Sequence, residues 1–462
     1  MIKRYVFGTP LETDAVLNKP AACRDKPPYL GKCENALIYK MDEEDIVYGL
    51  GENVRGMNKR GWIYESNCTD DPVHLEETKS LYGAHNFILV SGEKQFGLFL
   101  DTPGKVVFDI GYTNSSQLKI TLEDGDYELY LIDGGTPDDI ITWFRELIGP
   151  SYLPPKWAFG FGQSRWSYAS SEEVRKVAAR YRENHIPLDS IYLDIDYMER
   201  YKDFTIDREA FPDFEQLAED MKQQGIHLVP IIDGGVKIED GYDVYEEGVK
   251  NGFFCKDEDG DDFVVGVWPG KCHFPDMLDE KARAWFGDKY KFLLDKGIEG
   301  FWNDMNEPAI FYSEKRLKKV FEKLEEYRKM NLDVNTFFEF QDLVSTISKN
   351  PEDYRSFYHT YKGKRIRHDK VHNLFGYFMT RSAGEAFERL EPDKRILMFS
   401  RASYIGMHRY GGIWTGDNKS WWSHILLNLK MMPSLNMCGF LYSGADIGGF
   451  GADATQDLVL RW

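Results

Sequence analysis

Ile191-Tyr192-Leu193-Asp194-Ile195, then Phe214-Glu215-Gln216-Leu217-Ala218-Glu219-Asp220-Met221-Lys222-Gln223-Gln224-Gly225, then Leu228-Val229-Pro230-Ile231-Ile232 follow one another in a chain of 462 residues. The first and third are apolar runs of strand length. The second places Phe214, Leu217, Ala218 and Met221 on one helical face and ends on glycine, which accepts the left-handed backbone that stops a helix. Strand, helix and strand, with both strands mainly apolar, predict a βαβ unit whose parallel strands are buried on both sides.

The same rhythm extends outward. Trp157–Phe161 is read as an earlier strand, followed by Ser170-Ser171-Glu172-Glu173 as a helix start with Val174, Val177, Ala178 and Tyr181 on its apolar face. Ala282–Leu294 reads as a helix stopping at Gly297, before the strand Gly300-Phe301-Trp302. Further strands are expected at Ile396–Phe399, Gly412–Trp414 and Gly439–Tyr442. Strands beginning at 157, 191, 228, 300, 396, 412 and 439 predict an α/β fold, a (β/α)8-type TIM barrel over residues 151–462 that is one strand short of eight. The charged stretch 313–367, with Val320, Phe321 and Leu324 at helical spacing, is expected to be a helical insertion.

Before the Pro154-Pro155 boundary the period changes to two. Phe96, Leu98 and Leu100 share one face, as do Leu118, Ile120 and Leu122, and hairpin turns are expected at Ser91-Gly92-Glu93 and Glu123-Asp124-Gly125. Residues 1–150 are therefore expected to form an N-terminal antiparallel β-sandwich domain.

Composition narrows the chemistry. A net charge of −19 repels phosphate backbones, so nucleic acid is not expected as a partner. The chain shows no signal-peptide pattern and no apolar run long enough for a membrane span, which predicts a cytoplasmic protein that does not contact a membrane. The six cysteines (Cys23, Cys33, Cys68, Cys255, Cys272 and Cys438) show no zinc spacing and are expected to be reduced; no metal or cofactor is expected. Aromatic residues make up 15% of the chain, and flat apolar faces with polar edges suit sugar rings as well as a large core.

In a parallel barrel the reactive groups stand at the C-terminal ends of the strands. Those positions here are acidic: Asp194 and Asp196, Asp233, Asp304 with Asn306 and Glu307, Asp417 with Asn418, and Asp446, joined by Arg401 and interleaved with tryptophans. Crowded carboxyls push one another's pKa values apart, so that one stays protonated while another is ionised. That is the equipment of glycosidic cleavage. Motifs for zinc proteases, serine hydrolases and P-loop enzymes are absent. An acid cluster holding a cation in a metal-dependent barrel enzyme is the competing chemistry.

Gly300-Phe301-Trp302-Asn303-Asp304-Met305-Asn306-Glu307-Pro308 resembles the signature of glycoside hydrolase family 31, in its bacterial α-glucosidase form. The resemblance runs in order through Tyr48-Gly49-Leu50-Gly51-Glu52, Asp194-Ile195-Asp196-Tyr197-Met198, Val267-Trp268-Pro269-Gly270, Ser400-Arg401, Trp414-Thr415-Gly416-Asp417-Asn418 and Gly444-Ala445-Asp446-Ile447. It implies Asp304 as nucleophile and Asp417 as general acid/base. It further implies substrate contacts from Asp194, Ile195, Trp166, Trp268, Trp302, Met305, Arg401, Trp414 and Phe450, and support from Asp196, Glu307, Asp446 and Asp233. Asp71, beside Asp70 in the sandwich, is a candidate lid residue over the mouth.

The function so implied is a retaining, exo-acting α-glucosidase that removes terminal glucose from short α-1,6- or α-1,4-linked oligosaccharides. Ile195 favours this over an α-xylosidase, which tends to carry a bulky aromatic there. The chain ends at Trp462, before the family's eighth strand and C-terminal β-domains. A non-catalytic sugar-binding fragment is therefore a further alternative. The expected partner is a small oligosaccharide, with a homo-oligomer left open.

Overall fold

The computed structural model describes residues 1–462, which form two compact units: residues 1–156 with 370–384 and 393–462, and residues 157–369 with 385–392. In the first unit, eleven strands open the chain: β1 (Ile2–Phe7), β2 (Leu30–Cys33), β3 (Ala36–Lys40), β4 (Ile46–Gly49), β5 (Trp62–Ser66), β6 (Gly83–Ala84), β7 (Phe87–Ser91), β8 (Gln95–Asp101), β9 (Val106–Ile110), β10 (Gln117–Leu122) and β11 (Tyr127–Asp133). Ten of them form two antiparallel five-stranded sheets, ordered β1-β11-β8-β7-β4 and β2-β3-β10-β9-β5.

Phe96, Leu98 and Leu100 meet Phe108, Leu118, Ile120 and Leu122 in one buried cluster, so the period-two faces are the sandwich core. Ser91-Gly92-Glu93 joins the paired strands β7 and β8, as expected of a hairpin. Glu123-Asp124-Gly125 does not. It carries the chain from β10 in one sheet to β11 in the other, because a turn sequence specifies a reversal but not the sheet that receives the next strand.

Strand β8 is buried on both faces, unlike a sandwich strand with one side in water. The cover is helix α1 (Pro137–Ile148), whose Phe144 stacks on Phe87 at 3.9 Å and tilts against Phe99 at 5.4 Å. Gly97 permits this approach, since a Cβ there would stand 2.6 Å from Ile140 Cγ2. The helix starts on a reciprocal cap, with Thr136 Oγ1 accepting from Asp139 N and the Asp139 carboxylate accepting from Thr136 N, and Pro137 in the first turn. Such a cap contributes about 1 kcal/mol.

Seven parallel strands follow in chain order. Gly162–Gln163, Ser190–Leu193, His227–Asp233 and Gly300–Asp304 pair successively in the second unit; Leu397–Ser400, Gly412–Trp414 and Ser443–Gly444 pair successively in the first. The strand expected at Trp157–Phe161 lies later, at Gly162–Gln163. Residues Lys156–Phe159 instead form a 3₁₀ turn, and Phe159 and Phe161 are exposed. An apolar run does not distinguish a buried strand from a turn with exposed rings. The last strand is likewise at Ser443–Gly444 rather than Gly439–Tyr442.

The expected helix 282–294 is broken into Glu280–Lys289 and Lys291–Leu294. The insertion contains helices Glu314–Tyr327, Val334–Ser345 and Pro351–Tyr354 but also a hairpin, Phe357–Tyr361 with Lys364–Arg367, whose first strand pairs with Lys256–Asp257. It is therefore mixed rather than helical. All six cysteines are free thiols, and no helix is long and apolar enough to cross a membrane.

Candidate functional site

In the unit of residues 157–369, the strand Gly300–Asp304 carries Asp304 at its C-terminal end, with Asp233 opposite it in the parallel ladder. The chain then turns sharply: Met305 takes φ +56° and its N–H donates to Asp304 Oδ1 at 2.8 Å. One carboxylate oxygen is thereby oriented by the backbone that follows it. Asn303, buried one residue earlier, accepts at Oδ1 from the Tyr290 hydroxyl at 2.6 Å. Removing that donor would strand a buried carbonyl, at a cost of about 1–3 kcal/mol.

Asp194 follows the strand Ser190–Leu193 and repeats the device, accepting from Ile195 N at 2.7 Å. Ile195 is buried in a short 3₁₀ turn. Trp302 is pinned by its indole N–H to Leu193 O at 3.3 Å, and Tyr192 meets its edge at 6.4 Å. Asp196 accepts from the Ser167 hydroxyl, which ties it to the loop bearing Trp166. Trp166 and Trp268 lie 5.6 Å apart, 54% and 37% exposed, and Phe311 stands edge-on to Trp268. Two large exposed rings together form an apolar surface of the kind that a ligand covers. Glu307 and Asp233 are buried.

Asp203 was not anticipated. It is fully buried, its Oδ1 accepts from Asp233 N at 2.9 Å, and its Oδ2 has no hydrogen-bond partner. Burial pushes its carboxyl well above the usual carboxylate range. No periodicity or motif distinguishes it from the other acids of its loop.

In the other unit, Arg401 is buried after Leu397–Ser400, its guanidinium 5.2 Å from the Tyr82 ring. Trp414 ends the strand Gly412–Trp414, and Thr415 is fixed by its N–H to Gly444 O and its hydroxyl to Asn428 Oδ1. Gly416 has φ +65°, and a Cβ there would meet the Tyr82 ring at 2.2 Å, so only glycine serves. Tyr82 also donates to the Asp417 carbonyl at 3.5 Å. Asn418 Oδ1 accepts from Phe450 N at 3.0 Å, and its amide donates to Asp446 O at 3.3 Å. The loops carrying Asp417, Asp446 and Phe450 are thereby held together, with Phe450 44% exposed.

Asp71 is engaged locally, its carboxylate accepting from Val73 N at 3.1 Å and Thr78 Oγ1 at 3.5 Å. The loop nevertheless reaches Lys419, two residues past Asp417, through histidines. His74 accepts at its carbonyl from His424 Nε2 at 3.1 Å, while His424 Nδ1 accepts from Lys419 N at 3.1 Å. Both bonds require a neutral His424 with its proton on Nε2.

Burial, reinforced by His74, holds His424 down to about 4, and burial holds His85 down to about 3. A ring whose folded pKa is depressed contributes stability above its unfolded pKa of about 6.5 and loses it as pH falls toward 4. Asp101 opposes this, because burial pushes its carboxyl up to about 7 and favours the fold at lower pH. The urea midpoint of the His424→Gln variant is expected to fall less steeply between pH 6.5 and 4 than that of the parent. Equal slopes would show that His424 is not responsible.

Residues 151–462 match the glycosyl hydrolases family 31 TIM-barrel domain, and residues 24–109 the glycosyl hydrolase 31 N-terminal galactose mutarotase-like domain. The chain is 38% identical over 424 residues to alpha-glucosidase 2 of Bacillus thermoamyloliquefaciens, covering 91% of this chain and 49% of that protein. A family 31 alpha-glucosidase structure from Bacteroides thetaiotaomicron aligns with TM-score 0.73 at 28% identity, over 92% of this chain and 64% of that one. A Flavobacterium johnsoniae GH31 dextranase aligns with TM-score 0.79 at 24% identity over 94% of this chain and 50% of that one, a likeness of fold alone. The chain spans about half the length of the curated relatives it matches.

Proposed function

Since the chain belongs to glycoside hydrolase family 31, we propose that it acts as a retaining, exo-acting α-glucosidase on short α-1,6- or α-1,4-linked oligosaccharides. Asp304 attacks the anomeric carbon to form a β-glucosyl-enzyme, and Asp417 protonates the leaving oxygen and then activates water. Asp194 and Arg401 bind hydroxyls of the terminal sugar. Trp302, Trp414, Met305, Ile195 and Phe450 wall it, and Asp196, Glu307, Asp233 and Asp446 support the loops. The working division is a sandwich domain over 1–150 and a barrel over 151–462 with the insertion 313–367.

The observation that carries the reading is the position of the two acids: Asp304 closes one parallel strand, and Asp417 stands three residues beyond another, each on a glycine- or left-handed turn. The exposed pair Trp166 and Trp268 adds an apolar surface of the kind that a sugar ring covers. The substrate class is tested by incubating the purified protein with maltose, isomaltose and p-nitrophenyl α-xyloside. Glucose released first as the α-anomer, by proton NMR, and faster glucoside than xyloside cleavage are expected. Release of the β-anomer first would end the retaining mechanism, and faster xyloside cleavage would make the protein a xylosidase.

A further inference from the structure

Three donor side chains with no part in the proposed reaction meet inside the unit of residues 157–369. Cys255 follows the helix Asp243–Asn251, Asp276 follows the strand Gly270–His273, and His359 lies on the insertion strand Phe357–Tyr361. All three are buried, and their sulfur, oxygen and nitrogen atoms lie within 4.8 Å of one another. His359 Nδ1 is 2.7 Å from Asp276 Oδ1 and 3.4 Å from Cys255 Sγ, while its Nε2 is 2.9 Å from His368 Nδ1. Asp276 Oδ2 accepts from Thr360 N at 2.6 Å.

Protons hold this arrangement together in one neutral tautomer of His359. A neutral imidazole has one N–H. On Nδ1 it serves Asp276, while Nε2 accepts from His368 Nδ1 and the thiol donates to the Pro275 carbonyl at 3.7 Å. On Nε2 it serves His368 and sets the Nδ1 lone pair against the lone pairs of a carboxylate at hydrogen-bond distance. A cation suits the second tautomer, because sulfur, oxygen and nitrogen then offer lone pairs to one point while Nε2–H donates to His368. That outer bond is the kind that fixes the tautomer of a metal-binding histidine.

We propose that Cys255, Asp276 and His359 form a structural site for one divalent cation of the zinc class. Thiolate and imidazole select zinc over magnesium or calcium, which prefer oxygen throughout. Burial holds the Cys255 thiol well above its usual range, so the cation itself displaces the thiol proton to solvent. The site clips the insertion hairpin to two earlier segments, 104 and 83 residues away along the chain. It is independent of the proposed hydrolysis.

The test uses the purified full chain, stripped with a chelator, desalted and titrated with zinc alone. One equivalent of zinc retained through gel filtration, and an apparent melting temperature higher with zinc than without, are expected. Cobalt in place of zinc is expected to give a sulfur-to-metal charge-transfer band in the near ultraviolet, which reads the thiolate in the unsubstituted protein. Cys255→Ser and His359→Gln should each lose the equivalent, while Cys33→Ser, at an exposed cysteine, should keep it. Substoichiometric zinc in the unsubstituted chain, no charge-transfer band with cobalt, or full zinc retention in Cys255→Ser would each overturn the proposal.

Discussion

Asp304→Asn is expected to lower turnover of p-nitrophenyl α-glucoside by roughly 10⁴- to 10⁶-fold, the scale on which enzymes lose rate when a covalent nucleophile is removed. The amide cannot form the glucosyl ester, and no neighbouring acid on the same strand replaces it. The substitution is nearly isosteric. The side-chain oxygen that accepts from Met305 N is retained, so the sharp turn at φ +56° keeps its support and the melting temperature should stay close to that of the parent. Binding of glucose, measured by calorimetry, should persist, because a binding loss would make the rate loss uninformative. A variant that folds, binds and retains a tenth of the parent activity would remove Asp304 from the role of nucleophile. A parent protein that binds sugar but never turns it over would instead make the chain a binding fragment.

Asp417→Ala is expected to show a loss that depends on the leaving group. General acid catalysis is worth about 10²- to 10⁴-fold when the departing oxygen is basic and needs the proton. Maltose should therefore suffer fully, whereas an activated aryl glucoside such as 2,4-dinitrophenyl α-glucoside should form the covalent intermediate at close to the parent rate and then stall. Azide needs no general base and should release the stalled enzyme as α-glucosyl azide. The substitution leaves in place the bond from Tyr82 to the Asp417 carbonyl and the bonds of Asn418 to Phe450 and Asp446. An equal loss on both substrates, with no effect of azide, would remove Asp417 from proton transfer.

The sequence was most legible where burial and period coincide. Leu228–Ile232 is apolar throughout and lies in the fully paired strand His227–Asp233, and Gly412–Trp414 is a strand with the bounds expected of it. Reading failed where apolar residues do not enter the core. Trp157, Phe159 and Phe161 look like a strand, yet Phe159 and Phe161 are exposed and Trp157 stacks on His227 at 4.0 Å. Helix α1 passed unnoticed although Thr136-Pro137-Asp138-Asp139 carries its start signal, because the sandwich reading of 1–150 absorbed it.

The strand-end rule places Asp304 and Asp417, among other acids, at or just past the C-terminal ends of parallel strands, where the structure has them, and the family resemblance is what implies their roles. The rule missed Asp203, His424 and the Cys255, Asp276 and His359 group. Those depend on contacts between segments far apart in the chain, which spacing does not encode. The burial that lowers the His424 pKa and raises that of Asp203 is likewise a property of the packed structure.

The short parallel ladder between Gly83–Ala84 and Ser403–Tyr404 sets a timetable for synthesis. The sheets of the sandwich close from strands made within the first 133 residues, but β6 waits for a partner 320 residues later (403 − 83). At about 5–20 residues per second that interval is roughly 16 to 64 s, during which a nascent chain carries an unpaired strand edge. The first unit is therefore the earliest begun and the last finished. A trigger-type chaperone acting during translation would meet it half-built, with the second unit already complete.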